Sequence, residues 1–188
     1  MTDKQSILNP TNPEIFDFEG RTILITGGTG SLGSALCKAL LDEACCHNVS
    51  KVIIYSRDEV KQHLIPPHPK IRKFIGDVRD LARLKDAFYN VTDVIHTAAM
   101  KRIDTVEYNP AEALETNVVG SNNVLKAAVS RDVRRVLCIS TDKAVNPVNF
   151  YGITKACMEK LAISSNVYAH APTPGDPKTG VSVCRYGN

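Results

Sequence analysis

Arg21-Thr22-Ile23-Leu24-Ile25-Thr26-Gly27-Gly28-Thr29-Gly30-Ser31-Leu32-Gly33 decides the fold. The first half is an apolar run of the length of a buried strand. Gly27, Gly30 and Gly33 follow as a G-x-x-G-x-x-G string. Such a string alone is a weak signal, because glycine turns are common. Here it follows a strand and opens a helix, with helical periodicity from Ser31 to about Cys46 through Leu32, Ala35, Leu36, Ala39 and Leu40. In that setting the glycines permit a tight turn, close approach to a pyrophosphate, and close helix–strand packing. The helix start, with Thr29, Ser31 and Leu32, supplies amide donors and a positive dipole end.

Outward from this stretch, strand and helix patterns alternate. Strands are expected at Lys51–Tyr55, Ile71–Ile75, Asp93–Thr97, Arg135–Ser140 and Val181–Arg185. Helices are expected at Asp58–Leu64, Leu81–Asn90, Pro110 to Ser130, and Tyr151 to Ala169. The strands are apolar runs rather than alternating ones. That pattern predicts a parallel sheet covered on both faces, a doubly wound α/β fold of the NAD(P)-binding Rossmann type. The expected organisation is an N-terminal arm over residues 1–20 and one dinucleotide-binding domain over 21–188.

The 188 residues suffice for one core, and 43% hydrophobic with 23% charged is ordinary for a globular chain. A net charge of +3 is too small to argue for nucleic acid. No apolar run approaches the ~20 residues of a membrane span, and the polar N-terminus has no signal-peptide core. The six cysteines include no C-x-x-C and read as reduced core or near-core thiols. Adjacent Cys45 and Cys46 lack partners at metal-ligand spacing apart from His47, so no metal is expected. These features predict a cytoplasmic protein.

A dinucleotide needs a reader for the adenosine ribose at the end of the second strand. There stand Ser56 and Arg57, then Asp58. Arginine favours a 2′-phosphate and an acidic side chain favours free hydroxyls, so NADP is expected ahead of NAD. Asp77 and Val78 follow the third strand, where an adenine would be held. Ala98 and Ala99 follow the fourth and let backbone approach the cofactor. His96, inside that strand, reads as a core histidine.

The chemistry concentrates at Ser140–Lys155. Thr141, Asp142 and Lys143 stand consecutively at a strand end. Tyr151 and Lys155 are four apart on a helix and share a face. A nearby ammonium is expected to pull the tyrosine down from its usual ~10, toward a general base.

With the glycine loop, Thr141 and Tyr151-x-x-x-Lys155 in this order, the chain resembles the extended short-chain dehydrogenase/reductase superfamily. Tyr55–Glu59, Gly76–Asp80, Ala98–Lys101, Tyr108-Asn109-Pro110, Thr116–Gly120, Ser140–Ala144 and Arg185–Asn188 are more specific. They resemble the nucleotide-sugar 4,6-dehydratases that act on UDP-N-acetylglucosamine, and most of all the C5-inverting type of the pseudaminic acid pathway. The resemblance implies transient C4 oxidation by bound NADP, loss of water across C5–C6, and return of the hydride to C6, for surface polysaccharide or glycan sugars. It implies that Tyr151 takes the O4 proton, Lys155 holds the nicotinamide ribose, and Thr141 hydrogen-bonds O4. Lys143 would be the C5 base and Asp142 the acid. Related dTDP-glucose dehydratases carry an Asp-Glu pair here, so Lys143 tilts the resemblance to the inverting group. Lys101 and Asn188 would meet substrate, and Asn117 would position its helix.

Family members continue past the Arg-Tyr-Gly-Asn motif into more sheet and a smaller domain that grips the UDP-sugar. The expectation is therefore a truncated domain whose own activity is open, and a homo-oligomer in the complete form. A nucleotide-sugar epimerase and a non-catalytic NADP-binding fragment are the alternatives.

Overall fold

The computed structural model describes residues 18–42, 48–169 and 179–187. Six strands run β1 Thr22–Thr26, β2 Lys51–Ser56, β3 Ile71–Ile75, β4 Asp93–His96, β5 Arg135–Thr141 and β6 Gly180–Tyr186. They form one sheet in the order β3-β2-β1-β4-β5-β6, with every pairing parallel. The order reverses between β1 and β4, and a crevice opens at such a switch point outside the strand ends.

The apolar strands divide their side chains between two layers, because successive residues of a strand point to opposite faces. Leu24, Ile53 and Tyr55 enter one core with Leu84, Phe88, Val124 and Met158. That core lies under helices α3 (Leu81–Ala87), α6 (Gly120–Ser130) and α7 (Phe150–Tyr168). Ile23, Ile25, Val52 and Ile54 enter the other with Cys37 and Leu40 of α1 (Ser31–Leu41). Phe18, in the last described part of the N-terminal arm, packs against this second core.

Several expectations need correction. Helix α1 ends at Leu41, and Asp42 at its C-cap is extended. Its buried stripe is Gly33, Cys37 and Leu40, while Ala35 and Ala39 are exposed. Cysteine and glycine fill the inner face, so counting only aliphatic residues rotated the stripe. Cys37 and Cys138 are buried free thiols, but Cys157 and Cys184 are exposed. Cys45 and Cys46 lie outside the described residues. A helix α4 (Ile103–Tyr108) precedes Pro110, unforeseen because six residues carry too little periodicity. The expected helix from Pro110 is α5 (Pro110–Leu114), a π-helical turn at Glu115–Val119, and then α6. The short α2 (Glu59–His63) matches expectation and is capped by the Asp58 side chain. Among the described residues, no helix is long and apolar enough to cross a membrane. No group of three or more His, Cys, Asp or Glu side chains there is placed to hold a metal.

Candidate active site

A cleft of about 390 Å³ lies at the C-terminal ends of the strands. The glycine loop forms its floor. Gly27 has φ +69°, and a Cβ there would sit 2.8 Å from the Ala98 backbone. Gly33 packs against the Gly27 carbonyl with no room for a side chain. No side chain caps α1, so its first-turn amides face the loop without an internal acceptor. Thr29, Ser31 and Leu32 line the cleft beside them. An uncapped helix start behind a glycine turn is suited to an anion such as a pyrophosphate.

At the β2 end, Ser56, Arg57 and Asp58 all line the cleft. The Asp58 carboxylate is engaged locally. It accepts from the Lys61 amide at 2.9 Å and pairs with Lys61 Nζ at 3.1 Å. The Ser56 hydroxyl and carbonyl both accept from Nε2 of buried Gln62, which also reaches the Phe74 carbonyl and so ties β2 to β3. Arg57 stays exposed and lies 3.6 Å from Asp77. Asp77 is held by Arg79 through two guanidinium bonds of 3.0 and 2.8 Å. Burial opposes ionisation of Asp77, but the bonds from Arg79 and the Arg79 and Arg57 charges outweigh it, and its carboxyl sits below the ordinary value. Val78, Ala98, Ala99 and Lys101 line the cleft as well.

Tyr151 and Lys155 form the opposite wall. The start of α7 is fixed twice: Asn149 Oδ1 accepts from the Gly152 amide at 2.8 Å, and Glu107 Oε1 accepts from the Phe150 amide at 2.6 Å. Lys155 is only 3% exposed. Burial brings its ammonium down to about 8, against opposing charge from Cys138 and Glu159. The expected lowering of Tyr151 does not appear. Burial pushes its phenol up; the nearby Thr141 hydroxyl acts in the lowering direction, and the Tyr186 and Asp142 charges push it further up. Desolvation of a half-buried ring wins over helical proximity to the lysine.

Thr141 ends β5 next to Tyr151. Its hydroxyl donates to Asp142 Oδ1 at 2.8 Å, and Lys143 Nζ donates to the same oxygen at 3.1 Å. The bond from Thr141, then the contacts from Lys143, hold the Asp142 carboxyl below its ordinary value. In this state Asp142 is the acceptor of the pair, the reverse of the protonation that an Asp142 acid and Lys143 base require. Thr141, Asp142 and Lys143 are not on the cleft wall, whereas the cofactor residues are. Asn188 lies outside the described residues.

Two second-layer positions match expectation. Asn117 exchanges both amide bonds with the Met100 backbone at 2.8 and 2.9 Å and donates to Thr154 Oγ1 at 3.0 Å. His96 is fully buried between the Thr26 and Ser121 hydroxyls, at 2.7 and 2.8 Å. Sequence reasoning missed two others. Thr116 lines the cleft, is 4% exposed, and its hydroxyl has no partner among the described residues. Glu159, buried beneath Lys155, binds Ser140 and Arg185. The spacing Tyr151, Lys155, Glu159 was its available signal; for Thr116 only a π turn explains the orientation.

A dinucleotide fits these residues. The glycine cradle would be filled by a single Cβ, the helix amides are uncapped, and Thr116 offers an orphaned hydroxyl. The fold, with Tyr151 and Lys155 on one wall of that cleft, defines a nucleotide-binding domain of the short-chain dehydrogenase/reductase type. The chain belongs to the polysaccharide biosynthesis protein family, whose model matches residues 23–188. It is similar to the UDP-N-acetylglucosamine 4,6-dehydratase (inverting) of Campylobacter jejuni, with 47% identity over 174 residues, or 91% of this chain and 50% of the relative. It is also similar to a UDP-glucose 4-epimerase of Rickettsia typhi, at 44% identity over the same shares of the two chains. The structure resembles that of DesIV, a dTDP-glucose 4,6-dehydratase from Streptomyces venezuelae with NAD and TYD bound. That likeness has a TM-score of 0.75 and 25% identity over 88% of this chain and 55% of that one. The chain thus spans about half the length of the curated relatives it matches.

Proposed function

We propose that residues 21–188 form the dinucleotide-binding and catalytic domain of a nucleotide-sugar 4,6-dehydratase acting on UDP-N-acetylglucosamine. One observation carries the reading. The Thr141 hydroxyl, beside the Tyr151 phenol, donates to Asp142 Oδ1, and the same oxygen accepts from Lys143 Nζ. A pair suited to alcohol oxidation is thus joined to a pair suited to elimination. An epimerase moves a hydride on and off C4 and has no use for the second pair.

When bound, the nicotinamide supplies the hydride acceptor for C4 and the donor for C6. The protein moves the protons. Tyr151 takes the O4 proton as the phenolate while Thr141 orients that oxygen. The Lys155 ammonium and the positive charge an oxidised nicotinamide would bring are what would offset the burial that keeps the free phenol protonated, and Lys155 would hold the nicotinamide ribose. A keto group at C4 acidifies the C5 proton. Lys143 removes it as a neutral amine, and Asp142 protonates the departing C6 hydroxyl. One proton passed along the 3.1 Å bond from Lys143 to Asp142 turns the resting ammonium–carboxylate pair into that amine and acid. Exclusion of water by a sugar favours the neutral form of the pair. Lys101, exposed on the cleft rim, meets the substrate.

NADP is the proposed dinucleotide. Asp58 is occupied by Lys61 and the α2 cap, which leaves Arg57 as the exposed charge at the ribose position. The 47% identity to an inverting enzyme supports the same outcome at C5. Ile153, Ile163 and Val167, exposed along α7, support a homo-oligomeric complete protein. Cytoplasmic location follows from a nucleotide-sugar substrate.

Incubating the complete protein with UDP-N-acetylglucosamine and NADP in D₂O tests the reading. The expected product is a 4-keto-6-deoxy sugar with deuterium at C5. A product of unchanged mass, epimerised at C4, would establish the epimerase reading that the Rickettsia typhi relative represents.

A further inference from the structure

Helix α7 carries a third polar residue on the face of Tyr151 and Lys155. Glu159 lies one turn beyond Lys155 and is 6% exposed. A buried carboxylate is costly unless its lone pairs are filled. Here they are: Ser140 Oγ donates to Oε1 at 2.5 Å, Arg185 Nε to Oε1 at 2.7 Å, and Arg185 Nη2 to Oε2 at 2.5 Å. Ser140 and Arg185 are register partners across β5 and β6. Their successors, Thr141 and Tyr186, are the next pair in that register. Thr141 lies beside Tyr151, and Tyr186 lines the cleft. One carboxylate therefore ties three elements together immediately behind the reacting groups.

The same carboxylate stands one helical turn from Lys155, and its charge acts on that ammonium without a direct ion pair. Among the described residues, the other titratable groups near that ammonium are Cys138 on β5, His96 on β4 and, through its bond to Glu159, Arg185 on β6, with Tyr151 one helical turn away on α7. Burial pushes the Cys138 thiol up to about 12, so it is uncharged at neutral pH. Burial, helped by Lys155, brings His96 down to about 3, so it is neutral too. Tyr151 is held protonated by its burial. Glu159 is the negative charge left to act on Lys155 in the working range.

We propose that Glu159 is a positioning residue of the site: it locks the ends of β5 and β6 to α7 and supplies a counter-charge that favours the ammonium form of buried Lys155. Its consequence for turnover rests on the dehydratase reading; its effect on Lys155 does not.

The test is a ¹³C NMR titration of the lysine Cε signals of the chain, with Lys155 identified by the resonance lost in Lys155→Arg. The wild-type midpoint is expected near 8. Glu159→Gln is expected to lower it by at least about half a pH unit, and Glu159→Asp to restore most of the difference. Arg185→Gln, which unmasks the carboxylate and keeps Glu159, is expected to raise it. That variant keeps the proposal testable where Glu159→Gln fails to fold. A midpoint unmoved in the folded variants overturns the proposal. In the complete enzyme, the pH–rate limb set by Lys155 moves with the same sign. Absence of any sugar product from wild type would reject the dehydratase reading and leave the titration result standing.

Discussion

Lys155 is the residue at which folding and chemistry oppose each other. Burial brings its ammonium from 10.5 to about 8. Between those values the unfolded chain binds a proton that the folded chain does not, so stability rises with pH across that window. Below the folded value the full cost is present, on the order of 3 kcal/mol. Lys155→Met is therefore expected to stabilise the chain at pH 7 and to lose most of that advantage by pH 10, read by urea unfolding. An equal effect at both pH values would contradict the assignment. His96 follows the same rule at the acid end. Its folded value of about 3 against 6.5 means that stability falls as pH drops below 6.5. Tyr151 and Lys155 were legible from spacing, because helical geometry alone puts them on one face. The direction of the tyrosine shift was not, since it depends on how far folding buries the ring and on the Tyr186 and Asp142 charges brought near it. At the ribose end, Arg57→Ala is expected to weaken NADP binding at least about tenfold, as loss of a phosphate pair does, and to leave NAD nearly unchanged. Equal weakening in paired titrations would reject Arg57 as the reader.

The element that sequence periodicity misread is the run from Pro110 to Ser130. A π turn adds one residue to a helical turn, which a hydrophobic pattern scarcely records, and π turns gather at functional sites. Here the turn spans Glu115–Val119 and brings Thr116 onto the cleft while Asn117 is turned inward to Met100 and Thr154. Asn117 thus joins the loop after β4 to α7, the helix of Tyr151. Asn117→Ala leaves the Met100 amide and carbonyl without these partners, a cost of about 1–3 kcal/mol. The expected outcome is lower stability together with weaker dinucleotide binding, measured by thermal unfolding and by NADPH fluorescence. Lost stability with unchanged NADPH affinity would mean that the turn is a packing feature only. Strands β1, β2 and β5, by contrast, were readable to within a residue, because each is an apolar run ended by a glycine or polar cluster.

At the scale of the molecule, the two functional halves are unequally built. Every residue assigned to the dinucleotide, from Gly27 through Val78 to Lys155, stands on one cleft. Of the described residues proposed to meet the sugar, Lys101 stands at the rim, and exposed Asp142 with half-buried Lys143 lies off the cleft wall. The sheet is uneven in the same sense. Near β1 and β2 both faces are buried, but β5 and β6 leave Leu137 and Ile139 half-covered and Ser182 and Cys184 exposed. On the proposed reading, this chain, which spans half of its relatives' length, is expected to separate the two binding steps. NADPH should stabilise the 188-residue chain by about 2.7 kcal/mol at a hundredfold excess over its dissociation constant. UDP-N-acetylglucosamine at the same concentration should add far less, because few groups are placed to hold its nucleotide. Paired thermal-shift titrations decide between the alternatives. Stabilisation by the UDP-sugar equal to that by NADPH would show that the sugar grip is built into these residues, and the division of labour proposed for residues 21–188 would fall.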